Sequence, residues 1–90
     1  MTATPLNCAL SSLVETIARA VALRYGCTED EANTIRCARS RSIHPVFASL
    51  RAGDGREVRR FTTIKDLDDF RTCRIEGPFF AKEVKRACDK

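Results

Sequence analysis

His44, the single histidine of this 90-residue chain, stands directly before Pro45. A nucleophilic thiol or hydroxyl needs a base within hydrogen-bond reach and a further group that orients that base. Nothing in the pattern around His44 supplies the orienting group, so it reads as a surface or hinge residue and no enzyme is expected. Asp66, Asp68 and Asp69 are the densest group of carboxylates. Hard cations are held by several oxygen ligands, but Lys65 and Arg71 flank this group and it falls where a helix would begin. Negative charge there stabilises the helix terminus, so capping and a solvated face are the expected roles, with no metal. Gly53 and Gly55 enclose Asp54 without a following Lys-Ser or Lys-Thr, which excludes a phosphate-cradling loop of that type. The five cysteines, Cys8, Cys27, Cys37, Cys73 and Cys88, are spaced by 19, 10, 36 and 15 residues. A structural zinc site or a disulfide framework uses closer or paired spacing. Thiols in a reducing cytoplasm fit better, and no cofactor is expected.

The remaining chemistry is that of arginine. Net charge is +4, and it is unevenly placed. Residues 1–35 carry a net of −2, residues 36–60 a net of +5 and residues 61–90 a net of +1. The central positive charge comes from Arg36, Arg39, Arg41, Arg51, Arg56, Arg59 and Arg60, set against Asp54 and Glu57. A guanidinium is a planar fork of donors that matches phosphate or carboxylate better than the point charge of lysine does. A solvated, arginine-rich surface without a partner is the plainer reading of the same residues.

The elements that would position these groups follow from periodicity. Residues 1–7 read as a flexible start and residues 8–90 as one small domain. A chain of this length buries roughly 60 to 65% of its unfolded surface, so a dimer would be an unsurprising source of added stability. Leu10, Leu13, Val14, Ile17, Val21 and Tyr25 recur at helical spacing, which predicts a first helix over 10–25, with Ser12 and Glu15 as a capping box. Gly26 ends it by taking a positive φ. Thr28 and Glu31 form a second capping box, and Ala32, Ile35 and Ala38 predict a second helix running to about Ser40. Over 45–62 the central Ala52-Gly53-Asp54-Gly55-Arg56 is a turn signal between two β-prone flanks, which favours a β-hairpin. The alternative is a short helix opened by Pro45 and closed by Gly53. Thr63 caps a third helix bearing Ile64, Leu67 and Phe70. Residues 72–76 are expected to be extended, Gly77-Pro78 to break the chain, and a last helix over 79–88 to bury Phe80, Val84 and Ala87. The fold class is α+β and mainly helical: an N-terminal helical hairpin, a β-hairpin wing and one or two short C-terminal helices.

Two stretches resemble known DNA-binding architecture. Ala22-Leu23-Arg24-Tyr25-Gly26, with Ile35 nine residues further on, is similar to the helix-turn-helix family, over about twenty residues. Arg59-Arg60-Phe61-Thr62-Thr63-Ile64-Lys65-Asp66-Leu67-Asp68-Asp69-Phe70 resembles the end of an excisionase-type winged domain, in which a basic hairpin runs into a short helix. The resemblance implies that Arg51, Arg56, Arg59 and Arg60 reach DNA phosphates while Asn33 and Arg36 face base edges. The chain departs from the family where Thr28-Glu29-Asp30-Glu31 places three carboxylates in the turn that usually meets the bases. Either contact then falls to Arg36, Arg39 and Arg41 near the C-terminus of the second helix, or the helical hairpin is only structural.

The function expected on these grounds is that of a non-enzymatic, small prokaryotic or phage DNA-binding regulator. The alternative is a phage-encoded protein–protein inhibitor of a host or defence complex, which the chain resembles in size and lack of motifs, anti-CRISPR proteins being the example. The expected partner is accordingly duplex DNA, or an acidic or nucleic-acid-binding protein surface, with a homodimer as a further option. No stretch approaches the roughly 20 apolar residues that span a bilayer, and residues 1–7 lack the basic start of a secretory signal. A soluble cytoplasmic protein with no membrane partner is expected.

Overall fold

A computed structural model describes residues 4–38, 48–72 and 74–89, with side chains from Ser12 onward inside the first helix. The chain runs α1 (Thr4–Arg24), α2 (Glu29–Asn33), β1 (Arg36–Ala38), β2 (Ala48–Ala52), β3 (Arg56–Phe61), α3 (Ile64–Thr72) and α4 (Glu76–Cys88). It is a mainly helical α+β fold around a three-stranded antiparallel sheet of order β1-β2-β3. The helix α1 begins at Thr4, earlier than the expected Leu10, so Ser12 lies inside it and caps nothing. Glu15 reaches instead to the edge strand, where Oε2 accepts the backbone N–H of Cys37 at 2.9 Å. Beside it Arg19 Nη2 donates to the Ile35 carbonyl at 3.0 Å. These two side chains tie α1 to the outer edge of the sheet, where β1 would otherwise present unpaired backbone groups.

Gly26 takes φ +118 and turns the chain into α2. The Thr28–Glu31 capping box is present in both directions, with Glu31 N donating to Thr28 Oγ1 and Thr28 N donating to Glu31 Oε1. The helix it opens is far shorter than expected. It stops at Asn33, and Thr34 closes it by donating Oγ1–H to the Glu31 carbonyl at 2.7 Å. The β-branched Ile35 then goes fully into the core, and Arg36–Ala38 pair with β2 instead of continuing the helix. A strand ladder satisfies the backbone there and places Ile35 inside without a third helical turn.

The β-hairpin reading of 45–62 holds from Ala48 onward, and residues 45–47 lie outside the described residues. Gly53 at φ +61 and Gly55 at φ +97 make the turn. A bulge follows: Leu50 pairs with Arg59 but Arg51 pairs with Glu57, leaving Val58 as the extra residue on β3. Thr63 caps α3, its Oγ1 accepting Asp66 N–H at 3.0 Å. The expected extended stretch over 72–76 is absent: Thr72 ends α3, Arg74 and Ile75 form a turn, and Glu76 opens α4. Gly77-Pro78 does not break the chain. Proline lacks an N–H that the first helical turn leaves unpaired in any case, so Pro78 fits inside α4. Gly77 is needed because a Cβ there would run into the ring of Tyr25.

The helices α1, α3 and α4 pack on one face of the sheet, where Ala48, Leu50, Ala52 and Phe61 meet Val14, Ala18, Val21, Leu67, Phe70, Phe80 and Val84. Phe61, Phe70 and Phe80 form an edge-to-face series with centroids 5.2 and 5.0 Å apart. Residues on the other face of the sheet define the site described next.

Candidate functional site

Side chains alternate across a strand, and residues directly opposite on neighbouring strands share a face. Leu50 points into the core, so its neighbours Ser49 and Arg51 point away from it. Cross-strand pairing extends this outward face in two rows. One holds Arg36, Arg51 and Glu57; the other holds Ser49 and Arg60. The bulge at Val58 produces this grouping, since unbroken alternation from Phe61 would turn Glu57 toward the core.

Three of the arginines singled out in the sequence therefore come together. Arg36 and Arg51 are direct cross-strand neighbours, and both are exposed. Each guanidinium is steered by backbone carbonyls: Arg36 Nη1 donates to Asn33 at 2.7 Å and Ile35 at 2.9 Å, and Arg51 Nη1 donates to Gly55 at 2.8 Å. These contacts hold the forks in place without neutralising their charge. Arg60 lies in the second row and grips Glu57 through Nε at 3.1 Å and Nη2 at 3.2 Å. Ser49 donates its hydroxyl to Glu57 Oε1 at 2.8 Å and is only 4% exposed. The Ser49 hydroxyl and the Arg60 guanidinium hold the Glu57 carboxyl below its ordinary range.

The other arginines are elsewhere. Arg59 shares the face of Phe61, so it points inward rather than toward a partner. Its guanidinium sits 4.8 Å from the Phe61 centroid and 5.5 Å from that of Phe70. It pairs with Asp66 at 3.2 Å and Glu76 at 2.7 Å. Arg59, expected among the phosphate-contacting residues, here joins β3 to α3 and α4. Arg56 is exposed at the hairpin tip opposite Ala52, on the alternation opposite to Arg51. Asn33 is exposed at the end of α2, while Arg36 stands on a strand and not on a recognition helix. Arg39, Arg41 and His44 lie outside the described residues.

The Asp66, Asp68 and Asp69 group is engaged as its spacing suggests. Asp66 accepts the Thr62 N–H at 3.3 Å besides meeting Arg59, Asp68 faces Arg71 at 3.6 Å and Asp69 faces Lys65 at 3.2 Å. Among the described residues, no group of His, Cys, Asp or Glu is arranged to hold a metal ion. Cys27 is buried and donates to the Ala81 carbonyl at 3.3 Å, and burial raises its thiol pKa. A raised pKa keeps the thiol protonated and a poor nucleophile.

Ser49 and Glu57 are the residues of this face that sequence reasoning missed. Period-two counting back from Phe61 identifies Arg59 as inward, but it cannot place Glu57, because nothing in the composition announces the bulge. A second surface feature is apolar. Ile75 and Phe79, one turn apart at the start of α4, are 84% and 65% exposed. Phe61 and Phe80, by contrast, are core residues, and Phe47 lies outside the described residues. No helix among the described residues is long and apolar enough to cross a membrane. Comparison of the chain with protein-family models, curated proteins and solved structures finds no match.

Proposed function

We propose that the protein is a non-catalytic nucleic-acid-binding regulator of prokaryotic or phage type that meets duplex DNA with the outward face of its sheet. The observation that carries this reading is the placement of Arg36 directly opposite Arg51. Like charges directly opposite on paired strands destabilise the sheet, and an anion arriving between them relieves that repulsion. Arg60 extends the basic surface to the third strand. Phosphate contacts of this kind supply affinity and register rather than sequence choice. The acidic turn of α2, Glu29-Asp30-Glu31, argues against that helix lying in a groove. This binding mode therefore differs from the helix-turn-helix expectation while keeping the same partner.

The test is fluorescence anisotropy of a labelled DNA duplex at low salt. Wild-type protein should bind saturably, and Arg36→Ala/Arg51→Ala should bind about tenfold or more weakly, since each lost phosphate contact removes its share of counterion release. Equal binding by the two proteins would sink the proposal.

A second reading is favoured by Ile75 and Phe79, whose exposure suits an anchor seated in a partner protein's pocket. It makes the chain a protein–protein inhibitor. A one-to-one protein complex that survives nuclease and is lost in Phe79→Ala, with no DNA binding at low salt, would select it.

A further inference from the structure

Glu57 carries a carboxylate on the outward sheet face, in the same row as Arg51. Its carboxylate receives the Ser49 hydroxyl and the two-nitrogen fork of Arg60, with Arg51 opposite on the neighbouring strand. A fork plus a hydroxyl is the donor set with which a pair of phosphate oxygens is recognised. Ser49 is nearly inaccessible, and its hydroxyl is spent on Glu57. That hydroxyl and the Arg60 fork are the donors that meet the Glu57 carboxylate. The bulge at Val58 turns Glu57 toward these donors.

We infer that Ser49, Arg51 and Arg60 form a phosphate-binding subsite that Glu57 fills with its own carboxylate in the free protein. A phosphodiester reaches the subsite only as Glu57 swings out, so Glu57 competes with the ligand and holds the affinity down. The inference rests on the reading of this face as a nucleic-acid surface, and two probes keep the two claims apart.

The first probe is a labelled DNA duplex, titrated with wild type, Glu57→Gln, Asp54→Asn and Glu57→Gln/Arg60→Ala. Asp54 lies in the turn of the same hairpin, so its replacement removes the same charge without entering the subsite. Glu57→Gln should bind about fivefold tighter than wild type, the equivalent of one favourable exposed ion pair no longer in competition. Asp54→Asn should change little, and the gain should vanish in the Arg60 double variant. Equal gains from Glu57→Gln and Asp54→Asn would overturn the subsite while leaving the DNA reading in place. The second probe is inorganic phosphate, followed by NMR at the Arg60 side-chain Nε–H and the Ser49 amide. Saturable shifts in Glu57→Gln, weaker in wild type, support the subsite even if duplex DNA fails to bind. Absence of shifts in both proteins overturns it.

Discussion

Arg59 puts a guanidinium against two phenylalanine rings while pairing with a carboxylate from α3 and another from α4. Removing it takes away packing and leaves Asp66 and Glu76 facing each other's charge. Arg59→Ala should therefore lower stability by about 2 kcal/mol in urea denaturation, short of a fully buried pair because the site keeps some solvent access. Arg36→Ala and Arg51→Ala should each change it by no more than about 0.5 kcal/mol. The inward role of Arg59 was legible in its spacing of two from Phe61, whereas its pairing with Glu76 depends on how α4 is docked. Glu57 supplies a pH test. Its folded-state pKa is depressed below the ordinary 4.5, so the stability it contributes is complete above that value and is lost as pH falls through the folded-state value. Wild type should lose more stability than Glu57→Gln between pH 6 and pH 3, and parallel losses would contradict the Ser49–Glu57–Arg60 arrangement. Cys27, buried and hydrogen-bonded, should resist alkylation at neutral pH until the chain unfolds, as peptide mass spectrometry can read out.

At the scale of elements, the turn between β2 and β3 is the most constrained point. Gly53 has φ +61, and a Cβ there would collide with the Ala87 carbonyl at the end of α4. Gly53→Ala should cost about 2 to 4 kcal/mol, combining left-handed strain with overpacking against backbone; a loss below 0.5 kcal/mol in thermal or urea unfolding would contradict this placement. The Gly-Asp-Gly sequence made this hairpin legible, and the Thr28 and Thr63 caps located two helix starts correctly. The length of α2 was not legible. Ala32, Ile35 and Ala38 keep helical spacing, yet Ile35 reaches the core from the end of a five-residue helix and β1 takes over at Arg36. Backbone pairing with β2, a contact distant in sequence, decides between two conformations that the local pattern permits equally. For the same reason Arg36 was read as a helical contact when it stands on a strand opposite Arg51.

For the molecule as a whole, the fold class was readable because helix caps, one strong turn and the apolar periodicity of α1, α3 and α4 agreed, even though β1 was not foreseen. The electrostatic surface was only half readable, since charge counting found the basic middle segment but not how strand alternation divides it. Arg36, Arg51 and Arg60 share one face, Arg59 turns half-buried to the opposite face and Arg56 stands at the tip. On the proposed reading, a polyanion meets the face that holds Arg36, Arg51 and Arg60. The most direct test is the slope of log K against log salt for a DNA duplex, measured for wild type and for Arg36→Ala/Arg51→Ala. If both arginines neutralise phosphates, the double variant should lose about two units of slope, close to 0.9 for each contact. A slope unchanged by the double substitution would contradict the assignment of this face to DNA.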